Sequence, residues 1–71
     1  MKKSIIELQK IGGSGGGMII DAKGKTTLDL QKIAASAKGI IVIRNASELD
    51  TIDCQKIAGS GKDRVIFDFT N

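Results

Sequence analysis

The 71-residue chain contains no histidine, proline, tryptophan or tyrosine, and it has a single cysteine, Cys54. A lone cysteine cannot form a disulfide within one chain, and without histidine it has no partner for a zinc site or a Cys–His catalytic pair. Two phenylalanines leave few aromatic surfaces on which single-stranded nucleic acid stacks. Since proline is absent, the turns must be made by glycine, asparagine, aspartate or serine. We therefore expect no metal, no cofactor and no catalytic activity.

Length and charge narrow the class of protein further. A chain this short buries only about 60% of its extended surface on folding, so extra burial through self-association is expected. The formal net charge is +3, with eleven basic residues interleaved with eight acidic ones, a balance that permits nucleic-acid contact without favouring it. No segment reaches the roughly 20 apolar residues of a membrane span, and Glu7 interrupts any signal-peptide pattern. We expect a cytoplasmic protein that does not enter a membrane.

One pattern occurs three times along the chain. Residues 4–11, 26–33 and 50–57 align without a gap, and each segment leads through small residues into an apolar run. A period of about 22 to 24 residues is typical of stacked supersecondary units. The pattern predicts one domain, residues 1–71, made of three repeats at about 4–25, 26–49 and 50–71.

Each unit opens with signals for a helix. Ser4, Thr26 and Asp50 are residue types that cap helices, and an acidic residue follows each of them three positions later, where the helix dipole favours negative charge. Apolar residues at matched positions then predict one apolar flank on each helix: Ile6, Leu8 and Ile11, then Leu28, Leu30 and Ile33, then Ile52, Cys54 and Ile57. Cys54 falls in the column of Leu8 and Leu30, which indicates a small core residue and not a nucleophile.

The second half of each unit is rich in β-branched residues and predicts strands at about 18–22, 40–44 and 65–69. A strand, a crossover helix and another strand favour parallel pairing with right-handed connections. We therefore predict an α/β fold of three tandem helix-strand repeats, with a three-stranded parallel sheet and all helices on one face.

Residues 37–45, AKGIIVIRN, fit the strand motif L-x-x-L-x-L-x-x-N, with Ala37, Ile40 and Val42 at the leucine positions and Asn45 at the asparagine. In this motif copy, and in its period and layout over nearly the whole chain, the protein resembles the leucine-rich repeats. The resemblance implies a small α/β solenoid. It implies no particular function, because one repeat architecture serves many functions.

The resemblance also sets which strand residues face the helices. With the strands aligned to the motif in this way, the strand residues expected in the core are Met18, Ile20, Ile40, Val42, Val65 and Phe67. The opposite face then carries Ile19, Ile41 and Ile66 in one row and Asp21, Ile43 and Asp68 in the next. Parallel sheets normally have both faces covered. We predict that these six residues bind a second copy, giving a homodimer, or another protein; the alternative is that the chain's own termini cover them.

Three further features of the sequence bear on function. Lys10, Lys32 and Lys56 occupy matched positions and would form a ladder for a polyanion, although acids three residues earlier also fit a solvated mixed-charge surface. The segment 59–62, GSGK, lies after a helix and before a strand, which is the reverse of the order in a phosphate-binding loop. Asp21 and Asp68 would lie two strand spacings apart, about 9.5 Å, with no further polar group beside them. We therefore expect a protein-protein interaction or self-assembly module, with polyanion binding as the alternative.

Overall fold

A computed structural model describes residues 4–70 and contains three helices and three strands in alternation. The elements are α1 (Ile5–Gly13), β1 (Met18–Asp21), α2 (Thr27–Ser36), β2 (Ile41–Arg44), α3 (Thr51–Gly61) and β3 (Val65–Phe67). Single turns of 3-10 helix at Ala46–Glu48 and Lys62–Arg64 flank α3. Within residues 4–70, none of the helices has both the length and the apolar character that crossing a bilayer requires.

The strands form one sheet in the order β1-β2-β3, and both pairs are parallel. This confirms the predicted α/β class, the parallel pairing and the strand order. The register places Met18 opposite Ile41 and Ile41 opposite Val65. The next row across the sheet therefore consists of Ile19, Val42 and Ile66.

Two of the three predicted helix caps are formed. The Ser4 hydroxyl accepts a hydrogen bond from the Glu7 amide, and the Glu7 carboxylate accepts one from the Ser4 amide, which completes a capping box. Thr26 and Asp29 form the same reciprocal pair at the start of α2. Asp50 precedes α3 in extended conformation, but its side chain makes no capping hydrogen bond, so this part of the prediction is wrong.

The core lies between the helices and one face of the sheet. The largest fully buried side chains come from both layers: Leu30, Ile33 and Ile57 from helices, and Ile41 and Ile43 from β2. Among the described residues, no polar or charged side chain belongs to the buried class. The core is therefore held by apolar packing, with Leu8, Met18, Val65 and Phe67 packed partly buried against it.

The predicted phase of β2 is wrong by one residue. Ile41 and Ile43, expected on the uncovered face, are 0% exposed, whereas Ile40, expected in the core, is exposed. Met18 stands 14 positions after the cap residue Ser4, but its partner Ile41 stands 15 positions after Thr26. Because side chains alternate between the two faces of a strand, this one extra residue exchanges the faces of β2.

A second correction concerns the predicted apolar flank of the helices. Leu30 is fully buried, but Leu28 is 58% exposed, and its matched residues Ile6 and Ile52 are exposed as well. With 3.6 residues per turn, two positions along a helix are separated by about 200° around its axis. Leu28 and Leu30 therefore lie on nearly opposite sides of α2, and Ile6, Leu28 and Ile52 point outward from the three helices.

Candidate interaction surface on the open sheet face

The sheet face that points away from the core carries an apolar row. Ile19 is 70% exposed and Ile66 is 51% exposed, and the half-buried Val42 lies between them in register. Ile40, two residues before Val42, extends this surface on the same face. We call Ile19, Ile40, Val42 and Ile66 the open sheet face. With neighbouring strands about 4.8 Å apart, the row of three is continuous.

A polar row borders the open sheet face at the carboxyl ends of the strands. Asp21 is paired with Arg44, and Asp68 follows Phe67, the partner of Ile43. Arg44 therefore lies between the two acids, in the place where the sequence predicted Ile43. The correction follows from the same shift in β2. The row alternates negative, positive and negative charge.

The Asp21 carboxylate is held by its neighbours. Its Oδ1 accepts hydrogen bonds from Asn45 Nδ2 at 2.8 Å and from the Lys23 amide at 2.8 Å. The Asn45 hydrogen bond is the largest of the effects that lower the pKa of Asp21, and the Lys23 amide and the charges of Lys25 and Arg44 act in the same direction. Asn45 itself adopts a left-handed backbone conformation, φ 59°.

The Asp68 carboxylate is held in a comparable way. It accepts hydrogen bonds from the Thr70 hydroxyl and from the Thr70 amide at 2.9 Å. The Thr70 hydroxyl is the main cause of a lowered pKa at Asp68, and Arg44 again contributes. An acid–base pair needs two groups whose pKa values are driven apart. Here both values are lowered, so the pair does not have the electrostatics of a catalytic dyad.

Cys54 does not have the surroundings of a reactive thiol. It is a free cysteine of intermediate burial. Burial raises the pKa of the Cys54 thiol, and the nearby charges of Asp53 and Asp50 raise it further. Reactive cysteines have the opposite, lowered pKa. In the part of the chain that the structure describes, no group of three or more histidine, cysteine or acidic side chains is arranged to hold a metal ion.

The three matched lysines lie on the helical side of the molecule. Lys10, Lys32 and Lys56 are exposed, one on each helix, and the helices are in contact in the order α1, α2, α3. Packed helices lie about 8 to 10 Å apart. The acids three residues before the first two lysines, Glu7 and Asp29, are engaged in capping boxes. Exposed lysines with acids on the neighbouring turn are typical of a solvated mixed-charge surface, and the polyanion ladder stays the alternative prediction.

An open cavity of about 650 Å³ lies between the start of α1, the end of β1 and the loop that leads to α2. Several of its polar groups already have hydrogen-bond partners: Lys25 Nζ donates to the Asp21 carbonyl at 2.8 Å, and the Asp29 carboxylate accepts from the Thr26 amide in a capping box. The cavity is lined by Ser4, Ile5, Leu8, Ile19, Ile20, Asp21, Lys23, Gly24, Lys25 and Asp29. With these groups engaged, the cavity shows no constellation that selects a ligand.

Comparisons with protein-family models, with curated protein sequences and with solved structures gave no match to this chain.

The structure shows on which face of the sheet each predicted interface residue lies, and their role in an interface stays a prediction. Ile19 and Ile66 lie on the sheet face away from the core, and Asp21 and Asp68 lie in the bordering row. Ile41 and Ile43 belong to the core instead, and Val42 and Arg44, which the sequence prediction did not place there, take their positions. The first charged residue after the apolar run, Asp21 or Arg44, stands 17 positions after Ser4 but 18 after Thr26, and this difference in the sequence could have revealed the shift.

Proposed function

We propose that this chain is a small non-catalytic repeat protein, a leucine-rich-repeat-like α/β mini-solenoid, that acts as a self-assembly or protein-protein interaction module. The observation that carries the proposal is the apolar row of Ile19, Val42 and Ile66 on a sheet face that no helix within residues 4–70 covers. A second copy of the chain is the occupant we propose, packed face to face as a homodimer. Burial of this row supplies the favourable free energy.

The size of the surface sets the expected strength of the association. Fully burying an isoleucine side chain is worth about 1.5 to 3 kcal/mol. Ile19 is 70% exposed, so its burial contributes about 1 to 2 kcal/mol, and a two-fold dimer counts it twice. Three strands of about four residues cover only roughly 200 Å², well below the roughly 800 Å² per partner of a standard interface. We therefore expect a weak dimer with a dissociation constant in the micromolar range or above.

The test replaces an apolar residue of the open sheet face by an acid. Ile19→Asp removes its burial in both copies and places two carboxylates in the contact, so the dissociation constant rises at least about 30-fold. Leu28→Asp is the matched control, because Leu28 is similarly exposed but lies on the outer side of α2. The measurement is solution mass by light scattering over a range of concentrations. Unchanged dimerisation of Ile19→Asp, or equal loss in both variants, would contradict the proposed interface.

Polyanion binding is the alternative function, and the observation that supports it is the exposure of all three matched lysines. Three contacts to phosphates of duplex DNA give a slope of log K against log salt of about −2.7. Lys32→Gln is then expected to reduce this slope by about 1, whereas Lys23→Gln, an equal change of charge away from the ladder, leaves it unchanged. Retention on DNA that is absent, or equally affected by both variants, rules out the ladder.

A further inference from the structure

The contacts between neighbouring helices repeat at matched positions. Gln9 Nε2 on α1 donates to Ser36 Oγ on α2 at 3.2 Å, and Gln31 Nε2 on α2 donates to Ser60 Oγ on α3 at 3.3 Å. In each unit the serine stands five positions after the glutamine. The two junctions therefore use one rule: the glutamine of a unit binds the serine of the next.

A pair of small residues accompanies each of these hydrogen bonds. A Cβ on Gly12 would lie 3.3 Å from Ala37 Cα, and a Cβ on Gly61 would lie 3.0 Å from Ala34 Cβ. Gly12 and Ala34 are matched positions, as are Ala37 and Gly61. Each junction thus joins one glycine to one alanine, which lets the two helices approach closely.

At each end of the row of three units, the residues for one side of such a junction have no neighbouring unit among residues 4–70. Gln55 and Ala58 are the donor and the small residue of the third unit, and no unit follows them in the described chain. Ser14 and Gly15 are the acceptor and the small residue of the first unit, and no unit precedes them there. We call these two surfaces the third-unit end and the first-unit end. Their residue types are those that meet at the internal junctions.

The first-unit end is already arranged to accept. Ser14 Oγ donates to the Lys10 carbonyl at 2.9 Å, as Ser60 Oγ donates to the Lys56 carbonyl at 3.1 Å. In Ser60 this orientation leaves the oxygen free to accept from Gln31. Ser14 has the same orientation, and no glutamine binds it within residues 4–70. Gln55 is exposed, and the described chain offers its side-chain amide no acceptor.

The exposure of a matched helix residue and the unpaired edges of the sheet also indicate open contacts at the two ends. Ile33 and Ile57 are fully buried, but the matched Ile11 is 42% exposed at the first-unit end. β1 and β3 are the outer strands of the sheet, so each has one unpaired backbone edge. A unit placed before the first one would cover Ile11 and pair a parallel strand with β1.

We infer that copies of this chain associate head to tail, with the third-unit end of one copy packed on the first-unit end of the next. Gln55 Nε2 then donates to Ser14 Oγ of the next copy, Ala58 packs on its Gly15, and β3 lies parallel to its β1. The inference rests on the proposed role in self-assembly and adds a surface separate from the open sheet face. Because the two ends differ, the contact is heterologous and leads to open chains or closed rings of copies.

The experiment blocks one end at a time. Ala58→Glu puts a charge on the third-unit end, and Ser14→Glu puts one on the first-unit end. Ala35→Glu is the matched control, since Ala35 is an exposed alanine on the middle helix. Circular dichroism checks that each variant is folded, and light scattering measures mass up to about 1 mM, where a contact of about −4 kcal/mol is still half populated.

Head-to-tail association predicts that the unaltered chain and Ala35→Glu form species larger than a dimer as concentration rises. Ala58→Glu and Ser14→Glu each lose this growth. A mixture of the two blocked variants recovers one contact, through the free first-unit end of Ala58→Glu and the free third-unit end of Ser14→Glu. With the open sheet face disabled in both by Ile19→Asp, the mixture forms a species of twice the 7.5 kDa monomer mass and nothing larger.

Three outcomes overturn the inference. They are an unaltered chain that stays at or below dimer mass, blocked variants that grow as the parent does, and a mixture with no recovered contact. If Ile19→Asp no longer forms dimers through the open sheet face but still grows in mass through its two ends, only the contact through the open sheet face has been lost. The two proposals can therefore fail separately.

Discussion

The Gly61→Ala substitution tests how closely α2 and α3 approach. Gly61 is the last residue of α3 and is buried. A Cβ at this position would lie 2.2 Å from Val65 Cγ2 and 3.0 Å from Ala34 Cβ. The Gly61 backbone has φ −95°, which alanine adopts without strain, so the penalty comes from packing alone.

The expected size of the effect follows from these two contacts. Overpacking a core by one methyl group costs about 1 to 3 kcal/mol, partly offset by the better helix propensity of alanine, worth up to about 1 kcal/mol. We expect a net loss of about 1 to 2 kcal/mol, which for a domain of this size lowers the melting temperature by roughly 5 to 15 °C. Gly59→Ala on the same helix is the control, because a Cβ there meets no atom within 4 Å. That variant is expected to be more stable than the parent by up to about 1 kcal/mol.

Urea and thermal unfolding followed by circular dichroism measure both variants, at one protein concentration because self-association shifts the apparent stability. Adding Val65→Ala to Gly61→Ala removes the closer of the two clashes. The pair should therefore show a favourable coupling free energy of about 1 kcal/mol in a double-mutant cycle. If Gly61→Ala is as stable as Gly59→Ala, the two helices do not pack as closely as described.

Three further predictions concern single positions. Lys62 has φ 56° and ψ −129°, so Lys62→Gly should raise the free energy of unfolding by about 1 kcal/mol in urea denaturation, and no gain would contradict backbone strain there. A double-mutant cycle of Gln31→Ala and Ser60→Ala should give a coupling of about 0.5 to 1.5 kcal/mol, against none if the hydrogen bond is not formed. The pKa of Asp21 lies below its ordinary value of 3.8, so its contribution to stability is complete above that pH and is lost as the pH falls through the lowered folded-state value. Asn45→Ala removes the main cause, and an unchanged carboxyl titration by NMR would contradict this assignment.

The sequence was sufficient to predict the element order and the sheet. Alternating helix and strand patterns required parallel pairing, and short connections favoured the order β1-β2-β3. The caps at Ser4 and Thr26 followed from residue type and spacing. Asp50 had the same signals, yet its side chain makes no capping bond. Residue type therefore predicted where α3 begins but not how its first amides are satisfied.

Matching positions between units showed which residues are chemically alike but not whether each of them is buried or exposed. Ile6, Leu28 and Ile52 match, and the structure exposes all three. Sequence alignment placed them with the apolar flank because they are apolar, whereas the helical period separates Leu28 from Leu30 by about 200°. The period was the stronger evidence, and it was available from the sequence alone.

Because the extra residue lies after the helix, it leaves the contacts between helices unchanged and alters only which face each β2 side chain takes. Ser14, Ser36 and Ser60 all stand ten positions after their caps, so the two glutamine–serine hydrogen bonds between helices use matched residues. Beyond the serines the spacing differs, since Met18 follows Ser14 by four positions and Ile41 follows Ser36 by five. A strand inverts its faces for each added residue, whereas the helical contacts upstream are unaffected. The junction rule in the helices is therefore independent of the error in β2, and the variants Ser14→Glu and Ala58→Glu test it at helix positions.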